Sequence, residues 1–180
     1  MAGCGVTRRG AATAAVACAM LLGAGSAADP AGALARESAP RTVTASGLAT
    51  GVARSALAAQ YLMIATAGNR RLEADFDPLE KRDRNDLVRA KADLRDAAAT
   101  ERWFDRRLLR IMFPPETERV ARELYRVNQA RARLTAAAAA STTLPGLHSY
   151  EPPLNAANGP VELAVATIRR QLGLPPPSSS

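Results

Sequence analysis

A chain of 180 residues with 24 Lys and Arg against 17 Asp and Glu carries a formal charge of +7, and 47% of its residues are hydrophobic. One histidine and two cysteines, Cys4 and Cys18, give no basis for a zinc site, a disulfide framework or a histidine-based triad. The positive charge is too modest to imply a nucleic-acid partner, and it suits loose contact with an anionic cell-wall polymer or a membrane surface.

Residues 1–28 have the order of a secretory signal. "MAGCGVTRRG" carries two arginines and no acid, an apolar run follows, and Ser26 and Ala28 are the small residues before the expected cut. The run is too short to span a bilayer, which takes about 20 residues. A secreted product is therefore expected. A lipoprotein tethered through Cys18 is the alternative, disfavoured because the most hydrophobic part, "AMLLGAG", follows Cys18. Cleavage after Ala28 removes both cysteines, and loss of Arg8 and Arg9 lowers the formal charge from +7 to +5.

Residues 29–45 mix proline, glycine and small polar residues without periodicity and read as a flexible spacer. Residues 175–180 read as a disordered tail. Between them, residues 46–174 carry four helical patterns and no stretch of period two.

The first pattern, about 46–74, puts Leu48, Val52, Ser55, Ala59, Leu62 and Thr66 on one stripe. The second, about 78–112, puts Leu87, Leu94, Ala98, Glu101, Phe104, Leu108 and Ile111 on another. "FPPE" breaks the chain, because proline lacks an amide proton and clashes with the preceding turn. The third, about 115–140, presents Val120, Leu124, Val127, Leu134 and Ala138. "TTLPGLH" reads as a loop, and the last stripe runs Leu154, Ala157, Val161, Ala164, Ile168 and Leu172. Pro160 lies within it and either starts that helix or interrupts a longer one; the unbroken stripe favours the longer helix. Short links between four helices predict an all-α fold, an antiparallel up-down-up-down four-helix bundle.

The acid-rich stretch "EADFDPLEKRDRND" is read as a helix start and not as a metal site. Asp77 stands at an N-cap position, Pro78 at the first helical position and Glu80 three residues after the cap. A calcium loop requires an acid at its fifth position and glycine at its sixth, where this chain has Leu79 and Glu80. His148, in the predicted loop, lacks metal-binding or catalytic partners. No metal and no cofactor is expected.

Candidate ligand contacts concentrate in "ATERWFDRRLLR", where Trp103 stands beside Arg106, Arg107 and Arg110, an arrangement able to grip an anionic or sugar ligand. The plainer reading is a tryptophan covering a helix seam beside solvated arginines. Glu101 lies on the apolar stripe, and Arg131 and Asn128 lie on the inner edge of the third helix, which together predict a polar core layer.

The stretches "DLRDAAATERWFDRRLLRI" and "IRRQLGLPPP", behind a signal and spacer, resemble the small uncharacterised exported helical proteins of high-GC Gram-positive, actinobacterial type. That resemblance implies no particular activity; the export signal, together with the lack of a catalytic constellation, points to an exported, non-catalytic binding or accessory protein of the envelope. The alternative is a secreted helical enzyme acting on an anionic small molecule, as the helical chorismate mutases do. The first helix here has Arg54 but no lysine near its middle, so it lacks that family's key constellation.

Overall fold

The computed structural model describes residues 45–177, with side chains described from residue 51. The signal, almost all of the spacer and the last three residues of the tail lie outside the described residues. Four long helices and one short one account for the fold: α1 (Ala45–Lys81), α2 (Leu87–Leu108), α3 (Pro115–Ala139), α4 (Leu144–His148) and α5 (Glu151–Gln171). No strand occurs among the described residues, so the chain is an all-helical bundle. α2 packs on α1 and α3, and α3 packs on α5. No helix among the described residues is long and apolar enough to cross a membrane.

The start of α2 differs from the sequence expectation. α1 does not stop before Asp77 but runs through Pro78 to Lys81. Leu72 and Phe76 are buried and Leu79 packs against the same cluster, so continuing the helix extends an apolar stripe past the proline. The amide protons of Arg82 and Asp83 both reach the Pro78 carbonyl and close the last turn. Asp77 is exposed on that turn, 2.7 Å from Lys81 Nζ. The cap of α2 is Asp86, whose Oδ1 accepts from the amides of Val88 at 3.0 Å and Arg89 at 3.1 Å. The segment between, "RDRN", has no apolar residue to bury, and there the helix ends.

The buried face of α1 also differs. Val52 is 71% exposed, and Ser55, Ala59 and Thr66 face solvent as well. Ala58, Tyr61, Ile64, Ala65, Leu72 and Phe76 are buried instead. Apolar residues surround this helix, so the choice of face falls to the bulkiest, Tyr61, Ile64, Leu72 and Phe76. The stripes of α2, α3 and α5 match their expected faces, with Leu94, Phe104, Leu108, Leu124, Val127, Val161 and Ile168 all buried.

"TTLPGLH" is not simply a loop: Leu144–His148 forms one helical turn, capped by Thr143 Oγ1, which accepts from the Gly146 amide at 3.2 Å. α5 begins well before Pro160 and continues through it, with Pro152 and Pro153 in its first turn, where missing amide protons cost nothing. Gly173, at φ 72°, ends the helix in the left-handed region that glycine enters freely.

The core divides into two apolar clusters. One joins Tyr61, Ile64, Phe104, Leu108, Ile111, Phe113, Leu124, Val127, Val165 and Ile168 with their neighbours. The other joins Leu72, Phe76, Ala90, Leu94, Ala97, Ala138, Ala139 and Leu147. A fully buried Leu or Ile contributes about 1.5–3 kcal/mol, so the first cluster supplies most of the stability.

Candidate ligand cavity and its polar wall

α1, α2 and α3 each pass from one apolar cluster to the other through a buried polar side chain, and α5 carries one beside the first cluster. On α1 Asn69 lies between Ala65 and Leu72, and on α2 Glu101 lies between Ala97 and Phe104. On α3 Arg131 lies between Val127 and Ala138, and on α5 Asn158 precedes Val161 by one turn. Glu101, Arg131 and Asn158 are only 2%, 4% and 4% exposed.

These three side chains bond to one another. Arg131 Nη1 is paired with Glu101 Oε1, and Arg131 Nε donates to Asn158 Oδ1 at 2.8 Å. Thr135 Oγ1 donates to the Arg131 carbonyl at 3.2 Å and lies 3.4 Å from Glu101 Oε2. Burial pushes the Glu101 carboxyl up, and the Arg131 charge beside it works against that rise. One turn along α2, Asp105 accepts from Asn128 Nδ2 at 2.9 Å and Gln129 Nε2 at 2.8 Å. Burial raises the Asp105 carboxyl to about 6 despite those two bonds.

On one side of this polar layer lies a cavity of about 240 Å³. Its buried wall consists of Phe76, Leu94, Ala138 and Leu147 with Arg131 and Asn158. Leu79, Glu80, Arg84, His148, Glu151, Leu154 and Asn155 complete it toward solvent. Ala138 stands in its wall where a longer side chain would fill the space. Across the mouth, Glu151 Oε1 lies 2.8 Å from His148 Nδ1 and 3.6 Å from Arg84 Nη2, joining α4 and α5 to the segment after α1.

The six sequence-predicted contacts do not form one site. Glu101 and Arg131 form the buried pair, and Arg131 lines the cavity. Trp103 lies partly buried away from it, with the Arg71 guanidinium 4.4 Å and the Arg107 guanidinium 4.7 Å from its ring centre. Arg106 on α2 and Arg110 just past its end are exposed and do not line the cavity. Trp103 packs against the first cluster, so it covers a seam between helices with arginine stems laid over its ring.

Sequence reasoning missed Asn158 and the mouth residues Arg84, His148 and Glu151. Asn158 stands three residues before Val161 on the same helical face, and a polar residue at that spacing was the available signal. The mouth residues are joined only by the fold. Among the described residues no three His, Cys, Asp or Glu side chains are gathered as a metal would require. No family model, no curated protein and no solved structure matches this chain.

Proposed function

We propose that this chain is an exported, non-catalytic binding protein, an antiparallel up-down bundle that holds a small molecule with an apolar body in its cavity. The cavity of about 240 Å³, with an apolar buried wall broken by Arg131 and Asn158 and a charged mouth, carries the reading. Ligand sites are typically concave, mostly apolar and furnished with a few fixed polar groups. Membership of the two clusters supports the antiparallel course: late α1 and late α3 meet early α2 in one, while early α1 and early α3 meet late α2 and late α5 in the other. The basic, apolar, small-residue order of residues 1–28 supports export, and the exposed Arg106 and Arg110 would add salt-sensitive attraction to an anionic envelope surface.

Arg131 in the cavity wall also admits catalysis on an anionic metabolite, but Glu101 already holds that guanidinium, so it has little charge to lend a substrate. The binding test uses the processed protein and N-phenyl-1-naphthylamine, a neutral apolar fluorophore. Saturable enhancement at one probe per chain is expected, lost in Ala138→Phe, which fills the cavity, or in Leu154→Trp, which obstructs it nearer solvent. Absence of saturable binding, or binding unchanged in both variants, overturns the reading.

A further inference from the structure

We infer that the cavity selects a neutral molecule carrying a hydrogen-bond acceptor, such as a ketone, ester or amide carbonyl, at one end of an apolar body. This rests on the binding reading above. The buried apolar wall, Phe76, Leu94, Ala138 and Leu147, fixes the character of the body. The polar end follows from Arg131 and Asn158.

A guanidinium can only donate, so the Asn158 atom 2.8 Å from Arg131 Nε must be the amide oxygen. The amide is thereby oriented with its Nδ2 as the remaining group, a donor. Arg131 spends Nε on Asn158 and Nη1 on Glu101, and Nη2 is the nitrogen neither partner uses. The deep polar wall therefore offers N–H groups, and a ligand meeting it must supply an acceptor.

Charge selects among acceptors. The buried Arg131 is neutralised by the equally buried Glu101, so the wall presents donors without net positive charge. A carboxylate entering there would place a second negative charge near Glu101 in a low-dielectric interior, where repulsion is strong. The mouth supplies no compensating attraction, because Arg84 and His148 both lie against Glu151 and Glu80 stands beside them in the wall. An alkane would avoid the repulsion but leave the donors unpaired, a cost of about 1–3 kcal/mol per group when water is excluded. A neutral carbonyl escapes both penalties.

The test measures competition of 2-octanone, octanoate and octane with N-phenyl-1-naphthylamine on the processed protein at pH 7. The ketone is expected to compete at least about tenfold better than either, the factor given by losing one such bond. Glu101→Gln leaves the Arg131 charge uncancelled, so octanoate should gain about tenfold or more in that variant. Should Glu101→Gln fail to fold, the double variant Glu101→Leu, Arg131→Met decides, because removing both partners leaves no orphan charge. In it the advantage of ketone over alkane should shrink to about twofold or less once the guanidinium donor is gone. Octanoate competing as well as 2-octanone with the wild type overturns the inference, as does an unchanged octanoate affinity in folded Glu101→Gln or an undiminished ketone preference in the double variant. Fluorophore binding without discrimination among the three thus sinks this inference alone, whereas no fluorophore binding sinks the binding reading beneath it.

Discussion

The two apolar clusters share α1, α2 and α3, to which one adds α5 and the other the short α4, and they solve opposite problems. One is filled by Tyr61, Phe104, Leu108, Leu124 and Ile168, and the opening at its margin measures only about 20 Å³, room for roughly one water. The other packs small alanines of α2 and α3 beside Leu72, Phe76 and Leu94 and borders a cavity of about 240 Å³. Bulk on one side of the polar layer holds the bundle together, so the other side is free to stay open. A protein selected only for stability would fill such a space, since cavities cost stability in proportion to their volume.

The largest expected effect breaks the layer dividing the two regions. Glu101→Ala leaves the Arg131 guanidinium buried without its counter-charge and should cost about 3–5 kcal/mol in urea denaturation. Replacing both partners by apolar residues should cost much less. Similar losses from the single and the double change would remove the pair from its dividing role.

Matched truncations sharpen the contrast. Leu108→Ala, in the filled cluster, should cost about 3–4 kcal/mol by the usual range for a buried leucine. Leu94→Ala enlarges a space that already exists and should cost about 2 kcal/mol, because one side of Leu94 faces the cavity and has fewer packed neighbours to lose. Equal costs would mean that the two regions are packed alike.

Asp105 supplies a pH dependence to the filled side of the layer. Its folded carboxyl titrates near 6, above its ordinary 3.8, so the folded chain binds a proton that the unfolded chain has released. The stability it contributes is complete below the unfolded value and is lost as pH rises through about 6. Burial moves Glu101 in the same direction. Acidification from pH 7.5 to 5 should therefore stabilise the protein by on the order of 2 kcal/mol, and Asp105→Asn should flatten that slope. A wild-type slope of the opposite sign would contradict the burial of Asp105.

The smallest effect concerns the helix start that borders the open region. Asp86→Ala removes the cap of α2 and should cost about 1 kcal/mol. Asp77→Ala, which loses only an exposed pair with Lys81, should stay within about 0.5 kcal/mol. A reversed order would restore Asp77 as the cap.

The sequence carried the four long helices, the faces of α2, α3 and α5, and the Glu101–Arg131 layer, because each rests on spacing along one helix. It misled at Asp77, where an aspartate, a proline and a glutamate match a capping pattern locally. Leu72, Phe76 and Leu79 outweigh that pattern by packing against residues far along the chain. It also misled on α1, where apolar residues on every side leave the buried face to be chosen by partners. The cavity could not be read at all. It is a space bordered by residues of five helices, and Ala138 in its wall looks like an ordinary helix former. Trp103 suggested a ligand grip through the arginines that follow it, and the plainer reading holds, a seam cover under Arg71 and Arg107.

The central claim is that the open side of the bundle holds the ligand and the filled side holds the fold. The most direct measurement follows backbone amide resonances of isotopically labelled residues 29–180 while 2-octanone is added. Saturable shifts centred on Leu94, Ala138, Leu147 and Asn158, with Phe104, Leu124 and Ile168 unmoved, are the predicted result. Shifts centred on the filled cluster, or spread evenly over the exposed surface, would contradict it.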